Sequence, residues 1–290
     1  MKEIVVVSGK GGTGKTTLVA SLAALVKEKV LADCDVDASN LPLILRAKIR
    51  HREGFISGEE PCKEEELCTG CGRCFELCRF GAIDPEDFSI DSLLCEGCGV
   101  CAWFCPEQAI EMIPTKVGEL FISESPYGPL VHARLFPGRE NSGKLVARVK
   151  KEARRLAEEA GSAFVLVDGS PGIGCPVIAS VSGASALLVV TEPGVAAIHD
   201  LVRLLHLARH FDLPAWVVIN KCDLSPEGTE HIRETVSLQE GRLLGEIPFD
   251  EDVFRAIAAG RPLIDFSNGA ASKAVRAIWE RLIEAIDQSW

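Results

Sequence analysis

"VVVSGKGGTGKTT", residues 5–17, decides how the rest of this 290-residue chain is read. Gly9-x-x-x-x-Gly14-Lys15-Thr16 follows an apolar β-branched run, Ile4 to Val7, and precedes a helix-like stretch, Leu18 to Val26. That is the strand–loop–helix setting of a phosphate-binding loop. Its glycines let successive backbone N–H groups turn toward an anion at the positive end of a helix dipole. Lys15 is then suited to reach β/γ-phosphates and Thr16 to hold Mg²⁺. The motif does not require the earlier lysine, Lys10, which on its own reads as a solvated charge.

The whole chain sets bounds around this loop. Its length allows one large core, or one core plus a small module. A net charge of −11 argues against a broad nucleic-acid-binding surface. No apolar run approaches the roughly 20 residues of a membrane span, and Met1 to Ser8 reads as a strand rather than a leader, so a cytoplasmic protein is expected.

Twelve cysteines are many for such a chain, and their spacing is not that of a disulfide framework. Eight fall into two runs, Cys68-x2-Cys71-x2-Cys74-x3-Cys78 and Cys95-x2-Cys98-x2-Cys101-x3-Cys105-Pro106. Zinc modules group cysteines in pairs, not in evenly spaced threes. The runs resemble those of bacterial two-cluster ferredoxins, in which the fourth cysteine of each run serves the other cluster. The resemblance implies one [4Fe–4S] cluster on Cys68, Cys71, Cys74 and Cys105, and a second on Cys78, Cys95, Cys98 and Cys101. Arg79 departs from the pattern, which usually has proline there, while Phe80-Gly81-Ala82-Ile83 continues like the family. Gly70, Gly72, Gly97 and Gly99 fit a backbone that curls tightly and aims N–H groups at sulfur.

Apolar strands alternating with helices frame the cysteine runs: strands at Val30–Ala32, Phe164–Val167, Leu187–Thr191 and Ala215–Ile219, and helices at about Ser142–Ala160 and His199–His210. This predicts an α/β fold, a mostly parallel sheet with helices on both faces. Residues 1–57 and 115–290 form the expected nucleotide-binding domain, and 58–114 an inserted ferredoxin-like α+β domain. The pattern from Phe55 to Ser57 reads as turn-rich, and the charge run Lys63 to Glu66 as solvated.

Lys10-Gly11-Gly12-Thr13-Gly14-Lys15-Thr16-Thr17 resembles the deviant P-loop of the MinD, ParA and nitrogenase-iron-protein class of ATPases. The resemblance implies a nucleotide-bridged homodimer in which Lys10 crosses to the nucleotide of the other subunit, with Gly11, Gly12, Thr13, Gly14, Lys15, Thr16 and Thr17 cradling the phosphates. It also implies that Asp35 orients the attacking water and joins Thr16 and Asp168 around Mg²⁺, and that Gly172 offers its N–H to the γ-phosphate. Asp33 and Asp37 are weaker candidates. Asn220-Lys221-Cys222-Asp223 resembles the guanine-reading N-K-x-D of GTPases, but the P-loop variant favours ATP over GTP, with Asn220 contacting the base. Ile247-Pro248-Phe249-Asp250 resembles the adenine-side loop of MinD-like ATPases.

Of the remaining cysteines, Cys34 and Cys222 read as small core residues and Cys62 has no strong reading. Cys175 follows the Gly169-Ser170-Pro171-Gly172 stretch, where the nitrogenase iron protein keeps a cluster cysteine, and is either a possible extra ligand or a packed turn residue. His199, His206 and His210 share one helix and read as solvent-facing. The last helix, Ala271 to Ile286, has an acidic face at Glu280, Glu284 and Asp287, unlike a basic membrane anchor, and is expected to pack on the sheet.

The chain as a whole resembles MinD-superfamily ATPases carrying an inserted ferredoxin domain. That implies an ATPase, weak without its partner, whose hydrolysis gates electron transfer through two [4Fe–4S] clusters to a redox partner. The alternatives are an ATP-dependent carrier or scaffold delivering iron–sulfur or related clusters to an acceptor protein, and a positioning switch whose clusters are purely structural.

Overall fold

The computed structural model describes residues 1–288, apart from the side chain of Asp287. In chain order the elements begin β1 (Lys2–Ser8), α1 (Lys15–Leu25), β2 (Lys29–Asp33), α2 (Leu41–Ile44) and β3 (Lys48–Lys63). Next come α3 (Arg73–Leu77), α4 (Val100–Trp103), β4 (Ile110–Ser125) and β5 (Gly128–Leu135). The remainder alternates: α5 (Ser142–Glu159), β6 (Phe164–Pro171), α6 (Cys175–Val181), β7 (Ala186–Thr191), α7 (Val195–His210), β8 (Ala215–Asn220), α8 (Pro226–Leu238) and β9 (Arg242–Ile247). Three helices close the chain: α9 (Asp252–Ala258), α10 (Leu263–Phe266) and α11 (Ala270–Gln288).

Among the described residues the strands form one sheet in the order β3-β4-β5-β2-β6-β1-β7-β8-β9. From β5 to β9 every neighbouring pair is parallel. Parallel strands need helical crossovers, which cover both faces and leave the strands apolar throughout. β1 shows this directly: Ile4 and Val6 join the core under α1 and α11, whereas Val5 and Val7, equally buried, point to the opposite face. There α5, α6, α7 and α8 pack. Ala271, Val275, Ile278, Leu282 and Ile286 of α11 are buried, with Glu280 and Glu284 outward, so the helix lies on the core as expected. Asp287's side chain falls outside the described residues.

The chain divides into two compact units: 1–53, 120–135 and 142–290, and 54–119 with 136–141. The chain thus passes between the units four times, not twice. The stretch Phe55–Ser57, expected to be turn-rich, lies inside the 16-residue strand β3. β3 is mostly exposed and polar, so its sequence carries no buried-strand pattern.

The smaller unit is built from two equivalent halves. Gly72 and Gly99 begin α3 and α4 with nearly identical left-handed backbones (φ 72° and 73°), and Ala82, Ile83 and their counterparts Ala109, Ile110 are all buried. Reciprocal bonds tie the halves: Glu64 N–H donates to Ala109 O and Asp91 N–H to Ala82 O, both at 2.8 Å.

Candidate functional site

Parallel α/β sheets bind ligands outside the carboxyl ends of their strands, where the strand order reverses. Here β1 ends in the glycine loop, β2 in Asp33, β6 carries Asp168 and β8 ends at Asn220. The loop turns through left-handed Gly12 and Gly14 (φ 81° and 91°). Any side chain at Gly14 would collide with Asn220, since its Cβ would stand 2.2 Å from Nδ2. That amide donates to Thr13 O at 2.7 Å, so Asn220 braces the loop.

A cavity of about 570 Å³ opens over the loop, lined by Lys10 to Leu18, Asp35, Asp37, Asn220 and Lys221. Its far wall is apolar: Val253, Phe254 and Ile257 of α9 with Leu263 of α10. Sequence reading did not find this wall, because a short helix far along the chain carries no binding motif.

Lys15 is buried and ion-paired to Oδ1 of Asp168. Burial works against its charge, but the Asp168 carboxylate, helped by Asp33 and Asp35, moves the Lys15 pKa upward. The other carboxylate oxygen, Oδ2, is buried without a hydrogen-bond partner. Thr16 Oγ1 lies 3.5 Å from Lys15 Nζ. An orphaned anionic oxygen, with a hydroxyl near the same ammonium, fits a divalent cation, which takes few protein ligands when phosphates and water complete its shell.

Asp33 has a larger part than the sequence suggests. It is fully buried, next to Asp168 in the register, and accepts from Asp35 N–H (3.1 Å), Ser39 Oγ (2.8 Å) and Leu41 N–H (3.2 Å). It thereby holds the loop that presents Asp35. Burial, with the charge of Asp168 adding, pushes Asp33 up to about 8, and burial also raises Asp35.

Two expected contacts are differently arranged. Gly172 N–H donates to Ser8 O at 2.8 Å, so it is engaged with β1 rather than offered to the cavity. Asp223 does not line the cavity, and its Oδ1 accepts from Phe249 N–H at 2.6 Å, tying the β8 and β9 loops together. Glu192, which sequence reading missed, faces both lysines of the mouth: Lys10 Nζ at 2.8 Å and Lys221 Nζ at 2.7 Å. Burial opposes its charge, but the two lysines hold its carboxyl below the usual range. The available signal was a carboxylate directly after an apolar strand.

In the smaller unit the eight run cysteines line two separate cavities. Cys68, Cys71, Cys74 and Cys105 line one, and Cys78, Cys95, Cys98 and Cys101 line the other. Backbone N–H groups point at sulfur: Gly97 to Cys95 Sγ at 3.4 Å and Ala109 to Cys105 Sγ at 3.3 Å. A Cβ at Gly97 would stand 2.5 Å from Glu59 O, so glycine is required there. Among the described residues no three His, Cys, Asp or Glu side chains converge closely enough for a single metal ion. Four thiols spread around a cavity, backed by N–H donors, fit a multi-iron cluster better than one zinc ion. Lys63 corrects the reading of a solvated charge run: its side chain is only 8% exposed and lines the first cavity.

Cys175 is exposed at the start of α6 and lies in neither cavity. Cys34 is buried and its thiol is pushed up by burial, as suits a core residue. His199, His206 and His210 are exposed. No helix among the described residues is long and apolar enough to cross a membrane.

An uncharacterised protein of Methanocaldococcus jannaschii is 35% identical over 288 residues, spanning 98% of this chain and 97% of its own. The iron-sulfur cluster carrier protein of Pyrococcus furiosus is 24% identical, spanning 99% of this chain and 87% of its own. The structure of the septum site-determining protein MinD from Pyrococcus horikoshii, complexed with Mg-ADP, superposes with a TM-score of 0.61 at 16% identity, covering 97% of this chain and 95% of that one. The CbiA family, described as the CobQ/CobB/MinD/ParA nucleotide binding domain, matches residues 4–263. With the loop, the strand-end aspartates and the parallel sheet in place, the chain belongs to the CobQ/CobB/MinD/ParA nucleotide-binding family.

Proposed function

We propose that this protein binds and hydrolyses Mg-ATP as a nucleotide-bridged homodimer, and that nucleotide state gates electron exchange between two [4Fe–4S] clusters and a partner protein. The observation that carries the reading is the sorting of eight cysteines into two tetrads within a chain that also holds a complete P-loop site. Bound clusters would supply one-electron transfer. Lys15 and the loop N–H groups bind the phosphates, Thr16 and Asp168 hold Mg²⁺, and Asp35 orients the attacking water. ATP is favoured over GTP because the Asp223 carboxylate is already engaged by Phe249 N–H and stands outside the cavity, whereas Phe254 and Ile257 offer an apolar wall to a base.

A specific contact supports the gating. Val36, next to Asp35, accepts at its carbonyl the N–H of Leu135 at 3.0 Å, and Leu135 is the last residue before the chain re-enters the smaller unit. Movement of the Asp35 loop on hydrolysis is therefore felt at a chain crossing. A coupling free energy of about 1–3 kcal/mol corresponds to a shift of about 40–130 mV for one electron. Anaerobic redox titration with and without a non-hydrolysable ATP analogue tests this. A shift in that range is expected, with reduction changing nucleotide affinity by the matching factor. Potentials, affinity and iron content that all ignore nucleotide would sink the reading.

The similarity to an iron-sulfur cluster carrier protein favours a second reading, in which clusters are delivered rather than used. Four cysteines per cavity favour retention. Loss of iron to an apo-ferredoxin on hydrolysis, with unchanged potentials, would favour delivery instead.

A further inference from the structure

We propose that the α3–α4 face of the smaller unit, centred on Trp103, docks a one-electron carrier protein with a basic surface. The proposal rests on the redox reading above. The two halves of this unit share their cysteine spacing, their helix-starting glycines and their buried Ala-Ile ends, so positions can be compared across them. Where the first half has the solvated Glu76, the second has Trp103, 87% exposed. α3 and α4 pack together, α3 leaves Phe75 and Leu77 exposed at 42% and 36%, and Phe104, which follows Trp103, is exposed at 52%. Exposed aromatic and apolar side chains on two packed helices forfeit burial that the fold could have used, and tryptophan is enriched at the centres of protein interfaces. Its position suits electron exchange: Trp103 lies two residues after Cys101 and two before Cys105, which line different cavities.

Charge selects the occupant. The smaller unit carries 15 Asp and Glu against 5 Lys and Arg, so it holds −10 of the chain's net −11. From Phe80 to Thr115, the stretch containing Trp103, there are 7 carboxylates and no Lys, Arg or His. Such a field steers a basic protein onto the apolar patch and repels a nucleic acid, an anionic membrane or the same acidic unit of a second copy. Cation–π contact between a partner's Arg or Lys and the Trp103 ring adds to the match.

The test uses the full-length, cluster-loaded protein, reduced with dithionite and freed of excess, with ferricytochrome c as a basic haem probe. One electron leaves a reduced cluster, which returns from the 1+ to the 2+ state, and reduces ferric haem to ferrous; dithionite supplied that electron. In single turnover the rate of cytochrome reduction is expected to saturate, with an apparent Kd that rises with salt. Trp103→Ala should raise that apparent Kd about tenfold, Trp103→Phe much less, with iron content, EPR spectrum and ferricyanide reduction unchanged. An apparent Kd indifferent to salt or to Trp103→Ala, with clusters intact and ferricyanide still reduced, overturns the docking proposal alone. A Trp103→Ala protein whose oligomeric state changes also overturns it, since a second copy would then cover the face. A wild-type protein without iron, or unable to reduce ferricyanide, overturns the redox reading and this proposal with it.

Discussion

Lys10 Nζ lies 2.8 Å from Oε1 of Glu192, so the lysine that distinguishes this P-loop is held by a carboxylate of its own chain. Glu192 also pairs with Lys221, whose ammonium donates to Gly12 O at 3.0 Å, and the trio closes one side of the phosphate loop. For Lys10 to reach a nucleotide on a second subunit it must exchange this partner. With a side chain 42% exposed, the pair is worth about 1 kcal/mol or less.

Lys10→Ala is therefore expected to leave ATP binding intact while abolishing ATP-dependent dimerisation and most hydrolysis. Glu192→Gln, which frees Lys10, should dimerise in ATP at a few-fold lower protein concentration. Sedimentation with and without nucleotide checks both, and equal dimerisation of wild type and Lys10→Ala would refute the role of Lys10.

Lys15→Ala strands Asp168 as an uncompensated buried charge. It should cost about 3–5 kcal/mol of stability in addition to nucleotide affinity. Urea unfolding of Lys15→Ala, Asp168→Asn and the double variant checks this, because the losses should be markedly less than additive.

Cys78 belongs by chain to the first run but lines the cavity of the second. Anaerobic wild-type protein should hold on the order of eight irons with coupled EPR signals. Cys78→Ala should keep about half the iron, with the surviving signal being that of the tetrad containing Cys105. About one zinc per run and no signal would exclude the cluster assignment.

Lys63 makes the two cavities electrostatically unequal, since Arg73 and Glu107 are the other charged side chains around its cavity while the second is lined by none. A nearby cation favours the more negative, reduced state. Lys63→Gln should lower the potential of one cluster and leave the other unmoved, as read by EPR-monitored titration.

His132 is buried, stacked on Phe121 with ring centroids 5.0 Å apart and 2.9 Å from Ser123 Oγ. Burial lowers its pKa to about 4. The unfolded chain takes up that proton near pH 6.5, so the stability due to neutral His132 is complete above about 6.5 and lost as pH falls toward 4. The loss reaches about 3 kcal/mol. His132→Gln should remove this part of the acid sensitivity, measured as the difference in urea stability between pH 7.5 and 4.5.

What the sequence determined by itself was whatever depends on short spacing. A glycine loop between an apolar strand and a helix, or three cysteines two residues apart, specifies a backbone shape within one or two turns. Strands β1, β2, β6, β7 and β8 were legible for a related reason, being buried on both faces and hence apolar throughout. β3 was not, because it is largely polar and exposed, and the first part of β4 was not, because its mostly exposed residues follow no buried-strand pattern. Tertiary structure alone decided which of the available polar groups face the cavity. The α9 wall enters it from a distant part of the chain, Glu192 and Asp33 act on it through Lys10, Lys221 and the Asp35 loop, and Gly172 and Asp223 spend their hydrogen bonds on Ser8 and Phe249. A hydrogen bond is satisfied by whichever partner the packing brings within about 3 Å, and no local pattern encodes that choice.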